Sequence, residues 1–246
     1  MLTKARDSKQ TSIRLLIALF LCAITASTMG TVTATSSNYI IYPTNSTLDG
    51  VPYNGWITKW WVWNLGIPNS THPLWNPTEP DVERCSSMQK GPVWFLPNAL
   101  SGEGIFNHQC NVPFGKVIMI PVSLTECDHG TEGVKPDDDL KVCAFNIYKS
   151  VSNIKIDGVP VNTGNLGTPI RTDFFNVTYP HNPISKFGYV EPGSYRAIAS
   201  GYLLFLHNLP VGIHNLHMKV VDFLSGKDFL KGVGETSEAN YTISVR

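Results

Sequence analysis

The sequence of 246 residues has few charged side chains and no excess of basic ones, which limits the kinds of partner it can have. Charged residues make up 15% of the chain, with 19 basic and 19 acidic side chains. Residues 1–34 contain four of the basic and one of the acidic residues, so residues 35–246 carry a formal charge of −3. Because nucleic-acid binding needs a basic stripe on the protein surface, we expect no nucleic-acid partner.

The sequence also lacks the short motifs that identify the common cofactor-dependent enzymes. It contains no P-loop, dinucleotide fingerprint, nucleophile elbow or H-E-x-x-H zinc helix. The segment Gly102-Glu103-Gly104 is typical of a hairpin turn rather than of a phosphate-binding loop. The sequence therefore predicts no cofactor and favours a function without catalysis.

Cysteine is scarce and no Cys-x-x-Cys pair occurs, which argues against a metal site made of thiolates. Cys22 lies in an apolar run near the N-terminus, and the others are Cys85, Cys110, Cys127 and Cys143. An even number of cysteines in an exported chain indicates two disulfides, for which three pairings exist. We favour Cys85 with Cys110 and Cys127 with Cys143, because each pair closes a short loop and would stabilise the fold by about 3 kcal/mol.

The N-terminal segment has the pattern of a secretory signal. Four basic residues precede an apolar run at 15–26 that ends in small residues, and this run is shorter than the roughly 20 residues of a membrane-spanning helix. We predict that residues 1–34 are a signal peptide cleaved near Ala34, with Ala26 as a second position and an uncleaved N-terminal anchor as the alternative. The mature protein is then secreted or on the cell surface, without a membrane span.

Asn-x-Ser/Thr triplets allow N-glycosylation if the host has the machinery. We therefore predict a glycoprotein whose glycans lie on exposed loops or strand edges. The candidate acceptors are Asn45, Asn69, Asn176 and Asn240.

Short apolar runs separated by Gly/Pro turns predict a mostly β fold. We expect roughly eight to ten strands and two helices, near 55–66 and 137–150, in an antiparallel β-sandwich of the immunoglobulin-like or jelly-roll kind. A split into two domains near Ser150 is the alternative. Because no flexible linker occurs there, we favour a single domain at 35–246.

Two hairpins are expected in the C-terminal half of the chain. Residues 154–161 contain a two-residue Asp-Gly turn. Residues 202–207 should pair with 213–222 across a Leu-Pro-Val-Gly turn, and a closing strand at 240–245 should pair with the 213–222 arm.

Four tryptophans fall within eight residues, on the predicted helix near 55–66. Trp56, Trp60 and Trp63 share one face of that helix, and Trp61 lies on a neighbouring stripe. The structural interpretation is a helix that plugs the end of the sandwich. The functional interpretation leaves Trp61 or Trp63 exposed as a stacking platform for a sugar ring or another flat ligand. The ligand-binding candidates are Trp60, Trp61, Trp63 and, in the following loop, Trp75.

A second candidate site is the run Glu126-Cys127-Asp128-His129, at the end of a predicted buried strand. A second acid and a histidine begin the loop that follows Glu126, and His108 on an adjacent predicted strand could approach them. Carboxylates and imidazoles can bind a metal or perform acid–base chemistry. Glu126, Asp128 and His129 are therefore candidate ligand-binding residues and, together with His108, candidate metal ligands.

Strand alternation places Glu126 on the same face as Val122 and Leu124, which would turn its carboxylate inward. A buried carboxylate needs a partner, such as Lys116 or Arg84. A structural salt bridge is therefore the simpler interpretation of Glu126.

Several landmarks along the chain resemble those of an uncharacterised family of secreted prokaryotic proteins. The resemblance covers most of the chain after the predicted signal peptide, and it implies a secreted single domain with this four-cysteine set. It implies no particular activity, because the family has none that is established. The landmarks are Trp60-Trp61-Val-Trp63, GPVWFL at 91–96, CNVPFGK at 110–116, the segment 121–127, IDGVP at 156–160 and LPVGIH at 209–214.

Three functions follow from these features. The first, which we favour, is a secreted noncatalytic sandwich that binds a glycan or another surface ligand through exposed aromatics. The second is a metal-dependent or acid–base hydrolase that uses Glu126, Asp128 and His129. The third is a structural envelope protein with protein partners. Exposed tryptophans in a cleft would support the first, and convergence of the acids and histidines would support the second.

Overall fold

The fold is described for most of the chain after the N-terminal segment. The computed structural model describes residues 39–73, 82–98, 104–133, 135–162, 167–184, 190–224 and 234–246, with the backbone alone for Tyr148. The predicted signal peptide and Trp75 lie outside these residues.

Strands dominate the described residues, which confirms the predicted mostly β class. The strands are β1 Ile40–Ile41, β2 Thr47–Leu48, β3 Val51–Pro52, β4 Val93–Phe95, β5 Ile105–Val112, β6 Val117–Asp128, β7 Ile147–Ile156, β8 Val159–Pro160, β9 Ile170–Arg171, β10 Phe175–Tyr179, β11 Gly193–His207, β12 Gly212–Leu224 and β13 Glu235–Val245. The helices are α1 Tyr53–Gly66, α2 Val82–Cys85 and α3 Asp137–Ala144, with a 3-10 turn at Asn69–Thr71.

Strand β11 is the centre of the first sheet, sheet 1. It pairs antiparallel with β6 on one side and with β1, β9 and β10 on the other. Strand β4 adds to the far edge of β6 in the parallel sense. Strands β2 and β3 form a separate two-stranded ribbon before α1.

A bulge in β6 decides which way its last residues face. Tyr202 pairs with Ser123 but Leu203 pairs with Pro121, so Val122 has no partner in the ladder. A bulge of this kind offsets the alternation of side chains. Val122 therefore packs between the two sheets, whereas Leu124 packs beneath α1. The predicted shared face of Glu126 with Val122 is wrong for this reason, because Glu126 follows Leu124 instead.

The second sheet, sheet 2, has the strand order β5-β13-β12-β7-β8. The predicted pairing of the closing strand is confirmed, because β13 runs antiparallel to β12. The predicted Asp-Gly hairpin is also confirmed, since β7 and β8 pair across Asp157 and Gly158, which have φ angles of 52° and 77°. Strand β5 lies parallel to β13. With the parallel β4–β6 pair, this makes both sheets mixed rather than purely antiparallel.

The other expected hairpin, between 202–207 and 213–222, is wrong. Strand β11 belongs to sheet 1 and β12 to sheet 2, so the intervening turn carries the chain from one sheet to the other. A crossing between sheets and a hairpin use the same turn-forming residues, which is why the local pattern did not distinguish them.

Among the described residues, two large apolar cores lie on the two faces of sheet 1, and a smaller cluster joins α3 to Ile198 of β11. One fills the space between the sheets and includes Phe106, Ile120 and Tyr241. The other lies beneath α1, which packs on β10 and β11. Helix α1 is apolar on nearly every side, as expected of a buried helix, and it covers the predicted residues 55–66. Helix α3 ends at Ala144, before the predicted end at 150, because β7 begins at Ile147.

Both predicted disulfides are confirmed. Cys85–Cys110 joins α2 to β5, and Cys127–Cys143 joins the end of β6 to α3. Disulfides of this kind form and persist in oxidising compartments outside the cytoplasm. None of the helices in the described ranges is long and apolar enough to cross a membrane.

Candidate functional site

The tryptophans of α1 are not exposed. Trp60, Trp61 and Trp63 have 1%, 6% and 6% of their surface accessible, so the predicted stacking platform is wrong for these three residues. Their rings pack against one another and against sheet 1, with centroids of Trp60 and Trp61 4.9 Å apart. The predicted burial of the helix is confirmed, but its predicted position at the end of the sandwich is wrong, because α1 packs on the outer face of sheet 1. Trp75 lies outside the described residues.

The indole N–H groups of α1 differ in one respect. Trp56 donates to the Leu48 carbonyl at 3.3 Å, Trp60 to Leu96 at 2.9 Å and Trp63 to Ser87 at 2.9 Å. The Nε1 of Trp61 is buried and has no hydrogen-bond partner among the described residues. A buried donor without a partner costs about 1–3 kcal/mol, so this nitrogen requires an explanation.

The end of β6 brings two acids beneath the same helix. Asp128 is fully buried. Its carboxylate accepts hydrogen bonds from the backbone N–H groups of Gly130 and Thr131, from the Thr131 hydroxyl at 3.2 Å and from the Tyr179 hydroxyl at 2.8 Å. Asp128 is therefore a structural acid whose acceptor positions are occupied.

Gly130 makes this arrangement possible. A Cβ atom at this position would lie 2.8 Å from Oδ1 of Asp128 and 2.9 Å from Cγ1 of Val190, closer than real Cβ contacts allow. Only glycine lets the loop approach the carboxylate closely enough for its N–H groups to reach it.

Glu126 lies two residues before Asp128 and has a different environment. Burial raises the pKa of Glu126 well above its usual value, and the negative charges of Asp128 and Glu132 and a hydrogen bond with Asp128 raise it further. These effects favour the protonated carboxyl group, which can donate to Asp128. The other oxygen, Oε1, is buried and has no partner among the described residues.

The two residues that carry these unpartnered groups line one cavity. It has a volume of about 180 Å³ and is lined by Trp61, Glu126, Thr131, Glu132 and Tyr179. Glu132 forms an exposed ion pair of 2.7 Å with Lys135. Burial and the nearby Glu126 and Asp128 raise the pKa of Tyr179, so its hydroxyl is a donor. The residues that line the cavity thus carry two aromatic rings, two hydroxyl groups and two carboxyl groups.

The predicted partners of Glu126 are not beside it. Lys116 donates to the Gly91 carbonyl, and Arg84 lies on α2. The groups that act on Glu126 are the carboxylates of Asp128 and Glu132. The predicted structural salt bridge is therefore wrong, and Glu126 is a buried acid among other acids.

The two histidines do not join the acids in a metal site. His129 is bonded through Nε2 to the Lys135 carbonyl at 3.1 Å. His108 lies on β5 in sheet 2, stacked on Tyr241, and burial lowers its pKa to about 4. In the described parts of the chain, the one group of three metal-ligating side chains is Cys127, Glu132 and Cys143. Its two cysteines form a disulfide, so it offers no thiolate to a metal.

The predicted glycosylation sites fall in different environments. Asn45 lies in an exposed turn, and Asn176 and Asn240 are exposed on strands. The amide of Asn240 donates to Asn107 at 3.1 Å. Asn69 lies in the 3-10 turn and its Oδ1 is buried. Their use remains a prediction.

The sequence interpretation named Trp61 and Glu126 at two separate sites and missed the residues that connect them. Thr131 and Glu132 follow Asp128 so closely that a search of the loop would have found them. Tyr179 lies on β10, which pairs with β11, and no local pattern connects it with Glu126.

Comparison with known proteins does not assign this chain to a family. No protein-family model and no curated protein matches the chain. Among solved structures, a crystal structure of a cysteine protease inhibitor from Entamoeba histolytica aligns with 58% of this chain and 94% of that chain, at 15% identity and a TM-score of 0.18. This likeness is too weak to support an inference about fold or function.

Proposed function

We propose that this chain is an extracytoplasmic, noncatalytic binding protein whose cavity at Trp61 and Glu126 takes a hydroxyl-bearing group, such as one sugar residue of a glycan. One observation carries the proposal: a buried donor and a buried acceptor that have no partner among the described residues belong to side chains that line the same cavity. The aromatics act from within the cavity, not from an exposed platform.

The chemistry of the two atoms suggests the ligand group. The indole N–H of Trp61 can only donate. With its proton directed to Asp128, Glu126 offers Oε1 as an acceptor. A hydroxyl group both donates and accepts, so one or two neighbouring hydroxyls satisfy both atoms. The Trp61 and Tyr179 rings add the apolar surface on which a sugar ring packs.

The size of the cavity limits how much of a ligand it can hold. Its volume of about 180 Å³ is below the roughly 300–1,000 Å³ of pockets that enclose a drug-sized molecule. The cavity therefore suits a single small group, with the rest of a larger ligand outside.

The compartment is consistent with this role. The two disulfides indicate an extracytoplasmic protein, and the predicted signal peptide would export the chain. In that compartment the available surface ligands include glycans. We propose that the protein is secreted or held at the cell surface.

A hydrolase is the second candidate, and one observation favours it. A carboxyl group with a raised pKa beside a second carboxyl group is the arrangement of a general acid and its partner, and Glu126 and Glu132 both line the cavity. The predicted version with Asp128 and His129 is less favoured. Asp128 is saturated with hydrogen bonds, and His129 is bonded to a backbone carbonyl.

Substitutions of Glu126 separate binding from catalysis. Glu126→Gln keeps a donor for Asp128 and an acceptor for the ligand, so we expect binding to be retained, whereas general-acid chemistry would be lost. Glu126→Leu removes both groups, and we expect binding to be lost. Ligand-observed NMR against a panel of methyl glycosides measures binding, and release of reducing ends from oligosaccharides measures hydrolysis.

A pair of tryptophan variants provides the matched control. Trp61→Phe removes the unpartnered N–H, and we expect binding to weaken by about fivefold, the value of one neutral hydrogen bond. Trp56→Phe removes an N–H that already donates to Leu48 and should leave binding unchanged. Absence of saturable binding to the whole panel would contradict the proposal. Hydrolysis by the wild type that Glu126→Gln abolishes would establish the second candidate.

A further inference from the structure

We infer that a groove on another face of α1 binds an amphipathic organic anion with an aromatic body. The groove has a volume of about 430 Å³, within the roughly 300–1,000 Å³ of small-molecule pockets. Trp56, Lys59 and Trp63 line it from α1. Their spacing of three and four residues places them on one face of the helix, and none of them lines the cavity at Glu126.

The floor of the groove is aromatic and requires no polar partner. The ring of Phe95 lies 6.1 Å from that of Trp56 and 5.5 Å from that of Trp63, centroid to centroid. Both indole N–H groups already donate to backbone carbonyls. The three rings are 5–7% exposed, so the floor offers ring edges to an apolar ligand body, against which another aromatic ring can pack.

Two exposed apolar side chains form the walls. Val62 on α1 is 42% exposed, and Met88 after α2 is 51% exposed, and both line the groove. Met88 has a φ of 53°, a left-handed conformation that is uncommon for a residue with a side chain. Exposed apolar residues next to a buried aromatic floor are typical of a ligand-binding groove.

The rim of the groove is basic. Lys59 and Lys90 are exposed and line it, with Nζ of Lys59 5.5 Å from the centroid of the Trp56 ring. Over the described residues, neither lysine forms an ion pair with a carboxylate. Asp49 is the acid that also lines the groove, which leaves one positive charge in excess. The charge balance therefore selects an anion rather than a cation.

A matched pair of dyes tests the inference on the full chain. Anilinonaphthalene sulfonate is an aromatic anion, and N-phenylnaphthylamine is nearly the same molecule without the charge. We expect both to bind, with the sulfonate about threefold tighter, because the groove has one positive charge in excess. Fluorescence titration at low and at high salt measures both affinities, and the preference should decrease in high salt.

Lysine variants test whether Lys59 and Lys90 cause the preference for the anionic dye. We expect the double variant Lys59→Gln, Lys90→Gln to bind the two dyes equally, and Lys155→Gln on β7, outside the groove, to keep the preference. A preference that survives in the double variant would overturn the inference. Equal binding of the dyes to the wild type would also overturn it and would indicate an uncharged apolar ligand.

Valine variants locate the apolar body. Val62→Asp places a charge in the groove, and we expect it to abolish binding of both dyes. Val142→Asp, at a position on α3 that is 74% exposed, should change neither affinity. Dye binding that is unaffected by Val62→Asp would show that the dyes bind elsewhere and would overturn the inference. Circular dichroism of each variant checks that it is folded.

Discussion

Two buried acids lie against opposite faces of sheet 1, and their hydrogen-bonding environments differ. Asp222 lies between the two sheets, where it accepts hydrogen bonds from the hydroxyls of Ser123 and Ser150. Glu126 lies beneath α1, where its charged neighbours are other carboxylates and its Oε1 has no partner in the described part of the chain.

The difference shows which of the two sites is structural. Burial raises the pKa of Asp222, and the hydrogen bonds from the two serine hydroxyls lower it. These donors stabilise the ionised carboxylate. Within the described ranges, no hydrogen-bond donor opposes the rise in the pKa of Glu126. A buried polar group without a partner requires an explanation, and one explanation is that a ligand supplies the missing hydrogen bond. Asn64, Asn69, Trp94 and His108 also have a buried side-chain atom without a partner among the described residues, but none of them lines the cavity or the groove.

The largest difference should appear when each acid is replaced by leucine. Asp222→Leu leaves the hydroxyls of Ser123 and Ser150 without their acceptor, and we expect the free energy of unfolding to fall by about 3 kcal/mol. At pH 4.5, where the folded protein keeps this carboxyl group neutral, Glu126→Leu removes a group that few others stabilise, and we expect a change within about 1 kcal/mol in either direction. Urea denaturation measures both. An equal loss in the two variants would show that Glu126 is as structural as Asp222.

The second prediction concerns pH. The pKa of Glu126 is raised in the folded state, so its contribution to stability is fully present below the unfolded value of 4.5 and is lost as the pH rises through the folded value. The wild type should therefore lose about 1.4 kcal/mol per pH unit relative to Glu126→Gln over that range. Denaturation of both proteins from pH 4.5 to pH 8 measures the difference. A constant difference would mean that the Glu126 carboxyl group is not destabilised by burial.

The elements of the fold could be predicted from the sequence where local signals control them. The tryptophan helix, the Asp-Gly hairpin and the two short disulfide loops are each determined within about 25 residues, and each was predicted. The parallel pairs β4–β6 and β5–β13 and the crossing from β11 to β12 depend on contacts between distant segments. Strand patterns do not contain that information, because a strand can have the same sequence in either kind of pair.

The candidate site shows the same limit. Trp61 and Glu126 were named as candidates because of their residue types, but their juxtaposition depends on how α1 packs over sheet 1. The exposure of Trp61 was predicted wrongly because helical periodicity identifies an apolar face without showing what covers it. The absence of a partner for its N–H depends on the positions of backbone carbonyls, which no sequence pattern specifies.

The smallest effects should come from removing single donors. Ser123→Ala leaves Asp222 with the Ser150 hydroxyl alone, and we expect a loss of about 1–2 kcal/mol. Tyr179→Phe removes one donor from Asp128, which keeps the Gly130 and Thr131 donors, so the expected loss is below about 1 kcal/mol. The shift in the urea midpoint measures both losses, provided that the dependence of the unfolding free energy on urea concentration is the same in each variant. A loss above about 1 kcal/mol for Tyr179→Phe would contradict this expectation. It would mean that the Tyr179 hydroxyl is needed to hold the Asp128 loop in place beside the cavity.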